Sequence, residues 1–287
     1  MNHIYHHLHL RHLAAWLILP WLLCASASLQ ASSQPQPLRV VVPTRDIATM
    51  ADTHYFYPLL NLALQKTEAT HGPFVTQHYP RVLSSARILS KLKGRDGIDL
   101  VWTSTSAERE RDFHYIPISL LRELSNYRVL LIRKGNQPAF SQVETLAQLR
   151  DMRMGIGGHW PDARLLENNG FRIVTSIYYE SLFKMLAANR FDAFPRGLFE
   201  AWDDYEQHKG LGIEIEQTLM LRYQAPFYFF VNKDNTALAK RIEEGLRIAI
   251  ADGSFDALLM SIPAFKRGQE ELDNHQRRIF TLEENYN

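Results

Sequence analysis

The sequence predicts an α/β fold of two lobes joined by a hinge of two crossover strands, and three observations carry that expectation. From Leu38 onward, short β-branched runs alternate with segments whose apolar residues recur at helical spacing. A second cycle of the same alternation begins after the break Gly135-Asn136-Gln137-Pro138. The aromatic run Phe227 to Val231, introduced by Tyr223-Gln224-Ala225-Pro226, marks a return to the first lobe. Strands that alternate with helices pair in parallel through crossover connections.

Each element has its own signal. Leu38 to Val42, closed by Pro43, is a buried first strand. Tyr55 to Thr67 carries Leu59, Leu60, Leu62, Ala63 and Leu64 at helical spacing, and His71-Gly72-Pro73 stops the chain before a strand at Phe74 to Tyr79. A helix over Ser84 to Leu92 and a strand over Ile98 to Trp102 complete the first cycle, and Tyr127 to Arg133 is a further apolar strand. The second cycle reads helix Val143 to Leu149, strand Met152 to Ile156, helix Pro161 to Glu167 with Pro at its start and Gly170 past its end, and strand Phe171 to Thr175. Glu180 to Ala188 is a helix, Phe191 to Phe194 a strand, and Leu198 to Gln207 a helix. After the return strand the rest is expected to be mainly helical, over Leu238 to Asp252 and Ser254 to Leu259, so the chain enters the second lobe once and leaves it once. The lobes are therefore expected at 38–134 plus 223–287 and at 135–222.

Composition narrows the class. A chain of 287 residues, 46% hydrophobic, can bury a sizeable core without disulfides. Its 32 basic and 31 acidic residues nearly cancel, which argues against a nucleic-acid partner. The first segment combines Arg11, an apolar run from Leu13 to Leu23 and the small residues Ala25-Ser26-Ala27, the pattern of a secretory signal peptide over 1–27. The run is short for a membrane span and is broken by Pro20. Cleavage there removes Cys24, the single cysteine, together with His3, His6, His7, His9 and His12, so no metal site and no cofactor are expected.

In parallel α/β sheets ligands collect beyond the carboxyl ends of strands, and four such places stand out. Thr103-Ser104-Thr105-Ser106-Ala107-Glu108-Arg109 follows Trp102, offering hydroxyls and a guanidinium to a carboxylate. It also fits a simple N-cap with a surface arginine. Gly155-Ile156-Gly157-Gly158-His159-Trp160-Pro161-Asp162 lacks the third glycine of a dinucleotide site and the Lys of a P-loop, yet leaves backbone room for an anion beside Trp160 and Asp162. A tight turn with a core tryptophan fits it equally. Pro195-Arg196-Gly197 and Thr44-Arg45-Asp46 add two arginines, each of which could instead pair with a local carboxylate. No nucleophile elbow, zinc helix or cysteine site occurs, and His54, His78, His114 and His159 are scattered.

The stretches Ile98-Asp99-Leu100-Val101-Trp102 with the Ser/Thr run and Arg109, Tyr127-Arg128-Val129, Phe191-Asp192-Ala193-Phe194-Pro195-Arg196-Gly197 and Ala251-Asp252-Gly253-Ser254-Phe255 resemble the bacterial family 3 extracellular solute-binding proteins. That resemblance implies the type 2 periplasmic-binding-protein fold, a periplasmic location, a small-molecule ligand, and a transporter permease or a sensor protein at the inner membrane as partner of a monomer. It implies no enzymatic activity, although the family resembles periplasmic dehydratases that use the same cleft. In the family a Thr-x-x-Arg grips the ligand α-carboxylate, and Ser106 to Arg109 matches it with serine for threonine. The family's aspartate for the α-amino group has no counterpart in Phe194-Pro195-Arg196-Gly197. The expected site is thus Arg109, Ser106, Thr105, Trp102, Arg196, Trp160, Asp162 and Arg45, with Arg109 and Arg196 facing each other around an anionic or amino-acid-like ligand stacked on Trp102 or Trp160.

Overall fold

The computed structural model describes residues 36–45, 52–274 and 276–283. The expected signal peptide, its cleavage site and Cys24 lie outside these residues. Among the described residues no helix is long and apolar enough to cross a membrane.

The first cycle runs β1 (Leu38–Arg45), α1 (Tyr57–Lys66), the short α2 (Glu68–His71), β2 (Phe74–Leu83), α3 (Ser85–Gly94), β3 (Leu100–Ser104), α4 (Ala107–Asp112) and β4 (Phe113–Tyr115). The second runs β5 (Tyr127–Arg133), α5 (Gln137–Ser141), α6 (Leu146–Arg150), β6 (Arg153–Gly157), α7 (Pro161–Asn168), β7 (Arg172–Ser176), α8 (Tyr179–Ala187), β8 (Ala193–Gly197), α9 (Ala201–His208), β9 (Ile213–Ile215) and β10 (Leu219–Arg222). The chain ends with β11 (Phe227–Asn232), α10 (Thr236–Ala251), α11 (Ser254–Met260), α12 (Pro263–Asn274) and β12 (Arg278–Thr281).

Two groups of strands result. β1 pairs in parallel with β2, and β11 lies antiparallel between β3 and β4. The Val41 amide donates to the Asp99 carboxylate at 2.8 Å and the Asp99 amide to the Val41 carbonyl at 2.9 Å, which joins these two small sheets edge to edge. The larger sheet has the order β12-β10-β5-β8-β6-β7, with β9 also on β5. The chain passes from one group to the other over 116–126 and returns over 223–226. The crossings are tied together where the Tyr223 amide donates to the Asn126 carbonyl and the Ala225 amide to the Asn126 side chain, both at 3.0 Å.

This sheet membership differs from the expected division in two respects. β5 belongs wholly to the larger sheet, paired with β8, β9 and β10, so the first crossing precedes Tyr127 and not Gly135. The C-terminal segment is not merely helical. It passes to the larger sheet a second time as β12, whose pairing with β10 supplies hydrogen bonds that Arg278–Thr281 could not form locally. β8 also continues through Pro195, where the sequence places a stop. Its pairing with β6 is confined to Ala193, so the missing N–H of Pro195 leaves no gap in that ladder.

Burial follows the expected periodicities. The α1 stripe Leu59, Leu60, Ala63 and Leu64 is fully buried against α10, whose Leu238, Ile242, Leu246 and Ala249 form the facing stripe. Between them the backbones touch at Gly245, where an added Cβ would collide with the Ala63 carbonyl oxygen. Gly245→Ala gains about 1 kcal/mol of helix propensity but must push two packed helices apart. A net loss of about 1–3 kcal/mol is expected in denaturant titrations. Arg241, also buried, closes the end of this unit by donating to the Gly72 carbonyl at 2.7 Å and the Thr67 hydroxyl at 3.2 Å.

Candidate functional site

The carboxyl end of β3 is built as a small polar platform. Ser106 is the N-cap of α4, its hydroxyl accepting from the Arg109 amide at 3.3 Å. The Thr105 hydroxyl donates to Glu110 at 2.7 Å, and the Thr105 amide donates to the Pro226 carbonyl at 2.9 Å, fastening the platform to the return crossing. Arg109 swings back over the strand end, its Nη1 donating to the Ser104 carbonyl at 2.6 Å and the Ser104 hydroxyl at 3.2 Å. The structure therefore brings Thr105, Ser106 and Arg109 together at the strand terminus, as their spacing predicts. Arg45 closes β1, and its side chain lies outside the described residues.

Trp102 does not face this platform. It is 3% exposed, stacked on Phe56 at 5.9 Å and edge-on to Phe229, because its position inside β3 turns it into the core. The expected role as a stacking surface is corrected to a packing one. Phe56 in turn stacks on Phe227 at 5.9 Å, and Phe227 meets Phe199 of the larger-sheet half edge-on.

On the larger sheet, β6 ends at Gly157, beneath the Trp160 indole. Asp162 is engaged: its Oδ2 accepts from Arg128 Nε at 3.2 Å and Nη2 at 3.0 Å, and from the Tyr223 hydroxyl at 2.7 Å. Arg128 donates as well to the carbonyls of Ser125 and Tyr127, and its guanidinium lies 4.7 Å over the Tyr223 ring. Asp162 thus braces both crossings at once. Burial works against the Arg128 charge, but Tyr223 and Asp162 outweigh it and hold the guanidinium firmly protonated.

Arg196 is the principal correction. Instead of reaching into a crevice it is 4% exposed within β8, with Nε on Asp204 at 2.5 Å, Nη2 on Glu200 at 2.8 Å and Nη2 on the Tyr179 hydroxyl at 3.2 Å. Its guanidinium lies 5.0 Å from the Trp160 ring. Desolvation opposes its charge, and Asp204 and Glu200 more than restore it. The pairing with a local carboxylate has prevailed over ligand contact. The partners lie close in sequence, Glu200 as the N-cap of α9 and Asp204 on its first turn, so the turn that follows β8 carries both carboxylates back to Arg196.

Charge at this end of the larger sheet therefore has the opposite sign to the expectation. Three carboxylates, Asp162, Glu200 and Asp204, surround two guanidiniums, Arg128 and Arg196. Four of the five side chains are at most 14% exposed, whereas Glu200 is 28% exposed, so the least buried group of the cluster is a carboxylate, bonded to Arg196 and to the Gly197 amide at 3.1 Å. Desolvation raises the Glu200 carboxyl above the ordinary range; Arg196 pulls it down and Asp204 pushes it further up. Among the described residues no group of three or more His, Asp or Glu is arranged to hold a metal ion.

The two βα units, the antiparallel return strand and the paired crossings define the two-lobed, type 2 periplasmic-binding-protein fold. No protein-family model and no curated protein matches the sequence, but solved structures match its fold. An ancestral arginine-binding protein bound to arginine is 16% identical, with 78% of this chain and 98% of that chain aligned at a TM-score of 0.59. A probable amino-acid ABC transporter extracellular-binding protein from Bacillus subtilis is 17% identical over 80% and 99% of the two chains, with a TM-score of 0.59. A ligand-binding core from Nostoc punctiforme in complex with L-glutamate is 16% identical over 79% and 100%, with a TM-score of 0.56. The resemblance read from short motifs is thus repeated at the level of the whole fold.

Proposed function

We propose that this protein is an exported, non-enzymatic solute-binding protein whose lobes close on a small amino-acid-like zwitterion. The first lobe comprises 38–115 and 227–274, and the second 127–222 with the C-terminal strand. One observation carries the ligand class: a guanidinium, Arg109, stands at the carboxyl end of β3, while the larger sheet presents Glu200 from a cluster with a carboxylate in excess. A ligand with a carboxylate at one end and an ammonium at the other satisfies both. An anion without an ammonium would meet Arg109 but be repelled by Glu200, because Arg196 is already neutralised. The arginine and L-glutamate carried by two of the solved proteins with this fold support the same ligand class. The protein acts in the periplasm as a monomer, delivering its ligand or its closed shape to a transporter permease or a sensor.

Thermal-shift screening of protein purified without refolding tests this. Binding that favours the native state stabilises it by about 2.7 kcal/mol at a hundredfold excess over Kd. Zwitterionic amino acids should raise the melting temperature and dicarboxylates without an amine should not; the reverse pattern refutes the zwitterion. Turnover of any bound acid would point instead to a dehydratase-like enzyme.

The raised Glu200 carboxyl adds a pH signature. Protonation removes the partner of the ligand ammonium, and a raised pKa means that this happens above the usual glutamate value of about 4.3. Affinity measured by calorimetry should therefore fall as pH drops, starting above the pH at which an ordinary glutamate titrates. Glu200→Gln should bind weakly at neutral pH and lose this dependence. An unchanged pH profile in that variant would remove Glu200 from the ligand site.

A further inference from the structure

The C-terminal segment makes a third connection between the strand groups, in addition to the crossings at 116–126 and 223–226. It starts from α12, whose Phe265 packs edge-on against Tyr55 at 4.9 Å and Phe199 at 6.3 Å. Gly268 lets the same helix lie against the Leu198 carbonyl, where a Cβ would collide. Three residues later than Asn274 the chain reaches Arg277, whose side chain is only 3% exposed. Its Nε donates to Glu271 of α12 at 2.6 Å, while Nη1 donates to the carbonyls of Glu216 and, at 3.3 Å, Leu219, beside β10. One guanidinium thus bonds to α12 and to the larger sheet simultaneously.

The anchor on the sheet side is firm. The fully buried Glu216 carboxylate lies 3.6 Å from Arg277 and also accepts from Gln137 Nε2 at 2.7 Å and from the amides of Thr218 and Leu219 at 2.7 and 2.6 Å. Beyond Arg277, β12 pairs along the whole of β10, and the Leu282 amide donates to the Arg222 carbonyl at 2.9 Å. Asn169 and Glu283 exchange side-chain to backbone bonds at 2.8 and 2.9 Å, and Leu282 is buried with Leu130 and Tyr223. Arg278, Ile279 and Thr281 are exposed, so what fixes the segment is its bonding and the two buried side chains, Arg277 and Leu282.

We propose that residues 276–283 form a strap across the back of the hinge that limits how far the lobes open, with Arg277 as its fastener. Asn274 and Arg278 are four steps apart in the chain and can separate by at most about 14 Å when it is extended, so rotation about the other two crossings draws the link taut. α12 also packs on Leu198 and Phe199 of the second lobe, so wider opening either carries α12 with that lobe or must peel it from these residues and strip Arg277 from Glu271 or β12 from β10. This inference concerns the ligand-free protein and stands or falls independently of the ligand class.

The test measures the distance between spin labels at Val82→Cys and Ile177→Cys, positions 59% and 69% exposed at the ends of β2 and β7, in a Cys24→Ser background without ligand. Arg277→Met, and a chain ended at Asn274, should each give a broader distribution shifted to longer distances than the parent. A folded Arg277→Met protein with the parent distribution overturns the strap. Should neither variant melt cooperatively, hydrogen exchange on the unaltered chain decides. Amides of Arg278, Leu282 and Glu283 protected to the level of β10 support the strap, and exchange at free-chain rates overturns it.

Discussion

Replacing Arg109 by alanine is expected to leave a folded protein that scarcely binds its ligand. The side chain makes charge-assisted bonds to the Ser104 carbonyl and hydroxyl at the end of β3, and the Ser106 hydroxyl caps its backbone amide. Losing its contact with a ligand carboxylate removes about 2–5 kcal/mol, roughly a 30-fold to several-thousand-fold weakening. Losing its bonds to Ser104, at a partly exposed strand end, is expected to cost about 1 kcal/mol of stability. Calorimetry on the ligand found by screening, paired with a melting curve, separates these effects. Wild-type affinity in Arg109→Ala would retire the β3 platform as the carboxylate site.

Arg196→Met should behave in the opposite way, with its main effect on the fold. The guanidinium is buried against Asp204, Glu200, Tyr179 and the Trp160 ring, and its removal leaves Asp204, 8% exposed, with no cation. Breaking a buried pair from one side costs about 3–5 kcal/mol. In a chain of this size that lowers the melting temperature by on the order of 10 °C. Because most of the loss is the penalty of a stranded carboxylate, Asp204→Asn in the same chain should recover part of it. The Tyr179 hydroxyl, which donates to Asp204, remains available as a neutral partner. A stable Arg196→Met protein that has lost only its ligand would return Arg196 to the binding site, as the sequence alone suggests.

These two arginines show what local sequence can and cannot place. Ser106 and Arg109 are three residues apart beside a strand end, and a cap and its first turn are organised by neighbours in the chain, so their placement is visible without tertiary information. Arg196 looks equivalent, following an apolar run and preceding a helix, but its partner set is assembled by the docking of α8 and α9 onto β8. Glu200 and Asp204 follow within eight residues, but neither their spacing from a strand residue nor their type reveals that the Arg196 side chain is buried. Trp102 and Trp160 separate for a similar reason. Strand alternation buries Trp102 among Phe56 and Phe229, whereas Trp160 stands in a turn over Gly157.

The order of strands and helices, the restart after Gly135 and the return at Phe227 are properties of local patterning: apolar residues at period 3.6 or in short β-branched runs, punctuated by Gly and Pro. They identify the fold class from the chain alone, and they locate the β3 platform. Pairing partners belong to a different level. That β5 lies wholly in the larger sheet, that Asp162 braces both crossings, that Arg196 is neutralised, and that Arg278–Thr281 forms a strand at all are outcomes of contacts between residues far apart in sequence. Such contacts are selected by burial and by the need of each buried donor and acceptor for a partner, and only the assembled structure satisfies those demands.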